Sequence, residues 1–318
     1  MQPSSWGLCT WSSQSTVFTS NPLSNTPSSI LVACSASPEE RSPTSTTLTL
    51  ASAITSTATA AAEKQNYLAN YVRPDTIRYS FHENNGVWFD CVDINLQPSM
   101  LTPDMAGKAI AQAPPLPTSS PLPAGHNFAR LYMEDHANEL DENGNIRHCP
   151  TGSIPMRRTT ASDPQRFATL KDFFAKGPDR TLLGSSDDSG SNPPMVAGFE
   201  YARTDQSVTN LGAQGFINIW DPYVQISAEH SLSQIWVVRN DDATMQTAEA
   251  GSVVYPSHFG DSNSHFFTYW TNDAYQTTGC WDMECDGFVH YSGSTPGDYF
   301  TTISSRGGTQ WEVEQKLL

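Results

Sequence analysis

Positive charge is scarce in this chain. Seventeen Lys and Arg stand against 33 Asp and Glu, a net charge of −16 with a pI near 4.7. Nucleic acid and anionic membrane surfaces both need a basic face, so neither is expected as a partner. Charged residues make up only 16% of the chain, and the mean hydropathy is −0.43. No apolar run approaches the roughly 20 residues of a membrane-spanning helix. The P-loop, the dinucleotide-binding glycine fingerprint, H-E-x-x-H and G-x-S-x-G are all missing, which removes the common nucleotide, zinc-peptidase and serine-hydrolase readings. There is no N-x-S/T sequon for N-glycosylation. No cofactor and no metal is expected, since C-x-x-C is absent and the eight histidines are scattered without ligand spacing.

What the 318 residues do contain is Ser, Thr, Pro and aromatic side chains, a mix common in extracellular β-rich proteins. Length predicts about two domains, large enough to bury a core without a disulfide scaffold. Six cysteines stand at Cys9, Cys34, Cys91, Cys149, Cys280 and Cys285. Cys280 and Cys285 are close enough to staple one loop, and Cys91 could pair with Cys149 across a longer one. Cys9 and Cys34 are left without an assignment.

The first 62 residues include 26 Ser or Thr and three charges, too little apolar surface to offset ordering entropy, so a disordered leader or stalk is expected there. Secretion is expected from the composition, although the start has no basic segment and its one apolar run, Ile30–Cys34, is short for a signal peptide. Residues 63–158 form a second region, with a strand-like run at Gly86–Ile94. Residues 159–194 are rich in polar turn residues and are read as a linker open to proteolytic nicking. From 195 onward short β-branched and aromatic runs alternate with turns: 215–220, 232–238, 250–255, 265–271 and 287–291. This spacing predicts a mainly β fold, an antiparallel sandwich or jelly roll.

One carboxylate stands out. In an extended chain side chains alternate between faces, so Glu249 shares a face with Gly251, Val253 and Tyr255. A carboxylate flanked by alanines at the head of a sheet-like run is rarely buried without a partner, and small neighbours leave room for a ligand backbone. Burial would raise its pKa and fit it for acid–base work at low pH. The preceding run puts Gln234 on one face with Leu232 and Trp236. If register brings that face to Glu249, the amide can serve as an oxyanion donor; otherwise it is a cross-strand amide bonded to backbone.

A set of motifs in fixed order resembles the catalytic domain of the neprosin family. They are Ile217–Pro222 (INIWDP), Ser231–Trp236 (SLSQIW), Glu249-Ala-Gly, Val254-Tyr-Pro256, Phe267–Thr271 (FTYWT), Tyr275–Cys280 (YQTTGC) and Cys285–Val289 (CDGFV). Upstream, Asp90–Ile94 with Gln97-Pro98, and Cys149–Arg158, resemble that family's activation prosegment. The resemblance implies an acid-active glutamic endopeptidase that cuts after proline, with two catalytic glutamates in a β-sandwich cleft and neither metal nor covalent intermediate. It implies that Glu249 is the first glutamate, that Cys91–Cys149 and Cys280–Cys285 are bridges, and that the chain's own prosegment, 63–158, inhibits a catalytic domain beginning at 195. The family's second glutamate lies well downstream. Glu312 and Glu314 do not match its motif, so residues 195–318 are expected to be a partial catalytic domain lacking one acid, and whether the chain is active is left open. The competing reading is a non-catalytic β-sandwich that binds wall polysaccharide or peptide. A jelly-roll glycosidase would need a second acid alternating with Glu249 on its strand, and there is none.

Overall fold

The computed structural model describes residues 28–36, 50–110, 129–130, 139–176, 200–210, 212–241, 244–291 and 295–317. Its elements run β1 (Ser28–Ala36), α1 (Leu50–Asn70), β2 (Ile77–His82), β3 (Trp88–Asp93), β4 (Ala129–Arg130), β5 (Ser153–Arg157), α2 (Ser162–Gln165), α3 (Leu170–Phe174), β6 (Glu200–Val208), β7 (Ala213–Asn218), β8 (Ser231–Asp241), β9 (Thr244–Val254), α4 (Pro256–Phe259), β10 (His265–Thr271) and β11 (Trp311–Leu317).

The protein is mainly β. A five-stranded antiparallel sheet runs β10-β9-β8-β1-β6, and a smaller sheet runs β4-β11-β7. Ile235, Ala250 and Phe266 from the first pack with Ala213, Ile217 and Val313 from the second, so the two sheets share one core as in a sandwich. Full burial of side chains of this size contributes roughly 1.5–3 kcal/mol each. Strand alternation then dictates what faces outward. Because Ala250 points into the sandwich, Glu249 and Gly251 must lie on the opposite, outer face.

A third sheet, β2-β3-β5, is built from the region upstream. Its core joins Val92, Ile154 and Met156 to Met283, with Phe288 packed alongside, so it is docked on the loop after β10. Both expected bridges are formed, Cys91–Cys149 and Cys280–Cys285.

Three expectations are revised. Within residues 1–62, Ser28–Ala36 is a strand bonded on both edges, to β6 and β8. The apolar run Ile30–Ala33 that is too short for a signal peptide is long enough for a strand. The alanine-rich stretch from Leu50 onward is helical, as alanine favours, and crosses the expected boundary at 62/63. Cys34 lies on β1, while Cys9 falls outside the described residues.

Residues 287–291 are not a strand. The Gln97 side chain accepts from His290 N at 2.9 Å and donates to His290 O at 2.8 Å, and Ser99 Oγ accepts from Gly287 N at 3.0 Å. The segment's backbone groups are therefore satisfied by side chains of the upstream region instead of a ladder. Gly287 itself sits at φ +121°, and any Cβ there would lie 2.1 Å from the Trp270 ring.

The described part of the expected linker is folded. Residues 162–176 carry α2 and α3, the latter opened by a capping box between Thr169 and Asp172. Thr160 Oγ1 donates to Asp163, and the Arg166 guanidinium both pairs with Asp163 at 2.7 Å and donates to His258 O at 2.7 Å. Phe173 is fully buried. The glycine- and serine-rich remainder, 177–199, lies outside the described residues.

Candidate active site

The register between β8 and β9 resolves whether Gln234 and Glu249 meet. Trp236 stands opposite Glu249, and Gln234 opposite Gly251. On the other side Tyr269 stands opposite Glu249 and Phe267 opposite Gly251. Directly opposed residues share a face. One outer face therefore gathers Gln234 and Trp236 from β8, Thr247, Glu249 and Gly251 from β9, and Phe267 and Tyr269 from β10. Gly251 is required by close approach, since a Cβ there would lie 2.0 Å from Ser233 O and 2.7 Å from Gln234 Cα. The space expected to admit a ligand backbone is thus used to bring Gln234 down onto the sheet.

Glu249 is 1% exposed and Gln234 also 1%. Thr247 Oγ1 donates to Glu249 Oε1 at 2.8 Å, and the Tyr275 hydroxyl donates to the same oxygen at 2.5 Å. Tyr275 is delivered by the loop that follows β10. Its own amide donates to Thr271 Oγ1 at 3.0 Å. Ala274 and Tyr275 occupy the left-handed region at φ 58° and 62°. For non-glycine residues this costs on the order of 1–2 kcal/mol each.

Asp273 offsets that strain by accepting from Thr271 Oγ1, Gln276 N, and the amides and hydroxyls of Thr277 and Thr278. Burial acts to raise the Asp273 carboxyl, but these bonds outweigh it and hold its pKa well below the usual carboxylate range. For Tyr275, burial and then the charge of Glu249 push the phenol well above its ordinary value, so it stays a donor.

The second oxygen of Glu249 is taken by Lys176, which also donates to Gln234 Oε1. Its ammonium lies 5.1 Å from the ring centres of both Trp236 and Phe267, and 5.6 Å from that of Tyr269. The Lys176 side chain is 6% exposed, and that of Glu249 0%. Burial pushes the lysine's pKa down, and the adjacent carboxylate opposes the shift. Lys176 ends the strap 162–176, which is tied to the sheet by Trp281 Nε1 donating to Ala175 O at 3.2 Å. Sequence reasoning assigned no role to Lys176, Tyr275, Thr247 or Trp236. A signal for the strap was present in Phe173-Phe174, an aromatic pair that a solvated linker does not need.

A second set of ionisable groups lies where the upstream region meets the loop 281–285. Tyr67 and Tyr71 from α1 donate to Glu284 O at 2.9 Å and Met283 O at 2.8 Å. His258 Nε2 lies 3.1 Å from Glu284 Oε2, and Arg157 lies 3.8 Å from Glu284 and 3.7 Å from Asp163. Burial raises the Glu284 pKa to about 8, opposed by Arg157. Burial, followed by Arg157, depresses that of His258 well below its ordinary value. Among the described residues, no cluster of three or more His, Cys, Asp or Glu is arranged to hold a metal ion, and no helix is long and apolar enough to cross a membrane.

Comparison with known families gives one match: the Neprosin family model covers residues 227–318. This segment is similar to the neprosin family. The neprosin segment spans β8 to β11 and so contains Gln234, Glu249, Tyr275 and the Cys280–Cys285 bridge. The matched segment suggests a peptidase-type function. Glu312 and Glu314 lie on β11, in the smaller sheet, and do not share the outer face of β8–β10 with Glu249. The two disulfides fit an oxidising compartment.

Proposed function

We propose that this chain is the latent precursor of a secreted, acid-active glutamic endopeptidase in which Glu249 is one of two catalytic carboxylates. The observation that carries the reading is the environment of Glu249: fully buried on an aromatic-lined face, oriented by Thr247 and Tyr275, and capped by Lys176 from the upstream strap. Buried, hydrogen-bonded carboxylates beside a movable cation are what a proton-transfer site held in check requires.

With the strap displaced, Glu249 Oε2 is free to take a proton from water attacking a peptide carbonyl. The Gln234 amide, also released from Lys176, is placed to donate to the developing oxyanion. Tyr275 and Thr247 stay on Oε1 and keep the carboxylate oriented. A second acid, which the family resemblance implies, returns a proton to the leaving amine. Cleavage after proline rests on the same resemblance, and the Trp236–Phe267–Tyr269 surface is the apolar wall that such a ring would meet. The upstream sheet β2-β3-β5 together with the strap 162–176 acts as the intramolecular inhibitor.

The test is cleavage of a proline-containing peptide in moderately acidic buffer, read by mass spectrometry. The chain is compared with its Glu249→Gln and Lys176→Ala variants. Cleavage abolished in Glu249→Gln and faster in Lys176→Ala is the expected result. Cleavage indifferent to Glu249→Gln, or absent from every folded version, overturns the reading and leaves a binding module.

A further inference from the structure

The pocket occupied by Lys176 is formed by residues that do not depend on the strap. Trp236, Phe267 and Tyr269 are held in register on three adjacent strands, and Gln234 and Glu249 come from two of the same strands. Three aromatic faces within 5.1–5.6 Å of one ammonium, with a carboxylate and an amide oxygen as acceptors, make a cation-binding cage. Its chemistry is selective. An uncharged group gains nothing from the ring quadrupoles, and leaving it against Glu249 strands a buried carboxylate. A planar guanidinium needs five acceptors in a fork, whereas two oxygens and three rings suit a compact ammonium on an alkyl stem.

We infer that this cage is a primary-alkylammonium site in its own right. It accepts the lysine side chain of a separate peptide, or a simple n-alkylamine, once Lys176 is withdrawn. Lysine-bearing peptides, the excised strap among them, then occupy the face that carries Glu249 and compete with any other ligand there. The inference rests on the cage and on Glu249 as an acceptor, and not on the peptidase reading, so its test involves no cleavage.

In the full chain, Lys176→Ala deletes a propylammonium group from the cage. The experiment measures the thermal midpoint of Lys176→Ala by tryptophan fluorescence while n-propylammonium chloride is titrated in, against n-propanol and against sodium chloride at equal ionic strength. A saturable rise of about 3–6 °C at ten times the half-saturating concentration is expected for the amine alone. Wild type, whose cage is filled, should not respond, and Lys176→Ala/Glu249→Gln should bind at least tenfold more weakly. No saturable shift in folded Lys176→Ala overturns the inference, as does an equal response to propanol or in wild type. If Lys176→Ala does not fold, NMR of the wild-type chain decides. A Lys176 ε-methylene displaced upfield by the three rings, with an ammonium slow to exchange, supports the cage; a solvent-like signal refutes it. Amine binding without peptide cleavage would leave this site standing while the peptidase reading falls.

Discussion

Breaking the Lys176–Glu249 pair from either side should cost far more than removing both partners together. The side chains are 6% and 0% exposed, so neither charge can be rehydrated in place. Glu249→Gln leaves a buried ammonium with only Gln234 as a strong acceptor. Lys176→Met leaves Oε2 of a buried carboxylate bare while Thr247 and Tyr275 remain on Oε1. Removing one partner of a buried pair costs about 3–5 kcal/mol, whereas replacing both with apolar or neutral groups of similar volume is often close to neutral. A double-mutant cycle should therefore return a coupling of roughly 3 kcal/mol or more. The Glu249→Gln defect should also depend on pH. Burial already lowers the lysine's pKa, so the folded variant binds fewer protons at this position than the unfolded chain. Its stability must then rise as pH increases towards the lysine's ordinary value. The assay is urea unfolding of the three variants at pH 6 and pH 9, followed by tryptophan fluorescence. Single-variant losses that add within about 0.5 kcal/mol, or a Glu249→Gln defect independent of pH, would refute the buried-pair argument.

Acid should loosen the fold through His230 and His258. Burial, then Lys176, lowers the His230 pKa to about 3, and His258 is likewise depressed; each neutral form contributes stability above pH ~6.5 that is lost at up to ~1.4 kcal/mol per pH unit below it, measurable as rising protease susceptibility of the strap. Glu284, raised to about 8 by burial, has the opposite sign: its contribution is complete below its unfolded pKa near 4.5 and is lost as pH rises through 8, so Glu284→Gln should flatten the alkaline side of the stability profile. Opening the Cys91–Cys149 bridge, 58 residues apart, should cost about 4 kcal/mol, against about 2 kcal/mol for Cys280–Cys285, 5 apart, when paired Cys→Ser variants are unfolded in urea. Gly251→Ala should destabilise by at least the ~1–3 kcal/mol of an overpacked site, because its Cβ meets β8 backbone at 2.0 Å, and loss of amine binding in Lys176→Ala/Gly251→Ala would report displacement of Gln234.

The sheet face that carries Glu249 was readable from alternation alone, since period-2 patterning puts Gln234, Trp236 and Glu249 on defined sides of their strands. What alternation cannot provide is register, and only register brings Gln234 to Glu249. Residues 287–291 show the converse limit. Their β-branched and aromatic composition is that of a strand, yet they hydrogen-bond to Gln97 and Ser99, 193 and 188 residues away in sequence. Local composition carries no trace of a partner at that distance. Tyr275 was visible as a residue but not as a donor to Glu249, because its position depends on two left-handed residues stabilised by Asp273, a conformation that sequence rules assign first to glycine. Lys176 was missed for a related reason: a lone lysine in a polar stretch has solvent as its default partner, and only Phe173-Phe174 beside it indicate docking.

The position of Lys176 bears on how the face that carries Glu249 would be uncovered. Residues 177–199 are the natural place to cut, but every strap residue that makes a holding contact lies upstream of them. Arg166 and Lys64 bind main-chain oxygens on the sheet side and within the strap, Phe173 is buried, and Trp281 holds Ala175. A single cut after 176 leaves Lys176 tethered beside Glu249 at an effective concentration that, for such attachments, is typically millimolar. Such a cut, with β1 still bonded between β6 and β8, is therefore insufficient for exposure of the face. The charges must change as well, and the groups placed to change them are the buried histidines. His230 is electrostatically coupled to Lys176, and His258 contacts Phe167 and Phe173 of the strap while facing Arg157, Arg166, Asp163, His265 and Glu284. Protonating either adds positive charge against a strap already fixed by Lys176 and Arg166. A chain cut in 177–199 should thus keep the strap resistant to protease at pH 8 and expose it only on acidification; exposure at pH 8 would show that covalent continuity, and not the buried charge, holds it in place.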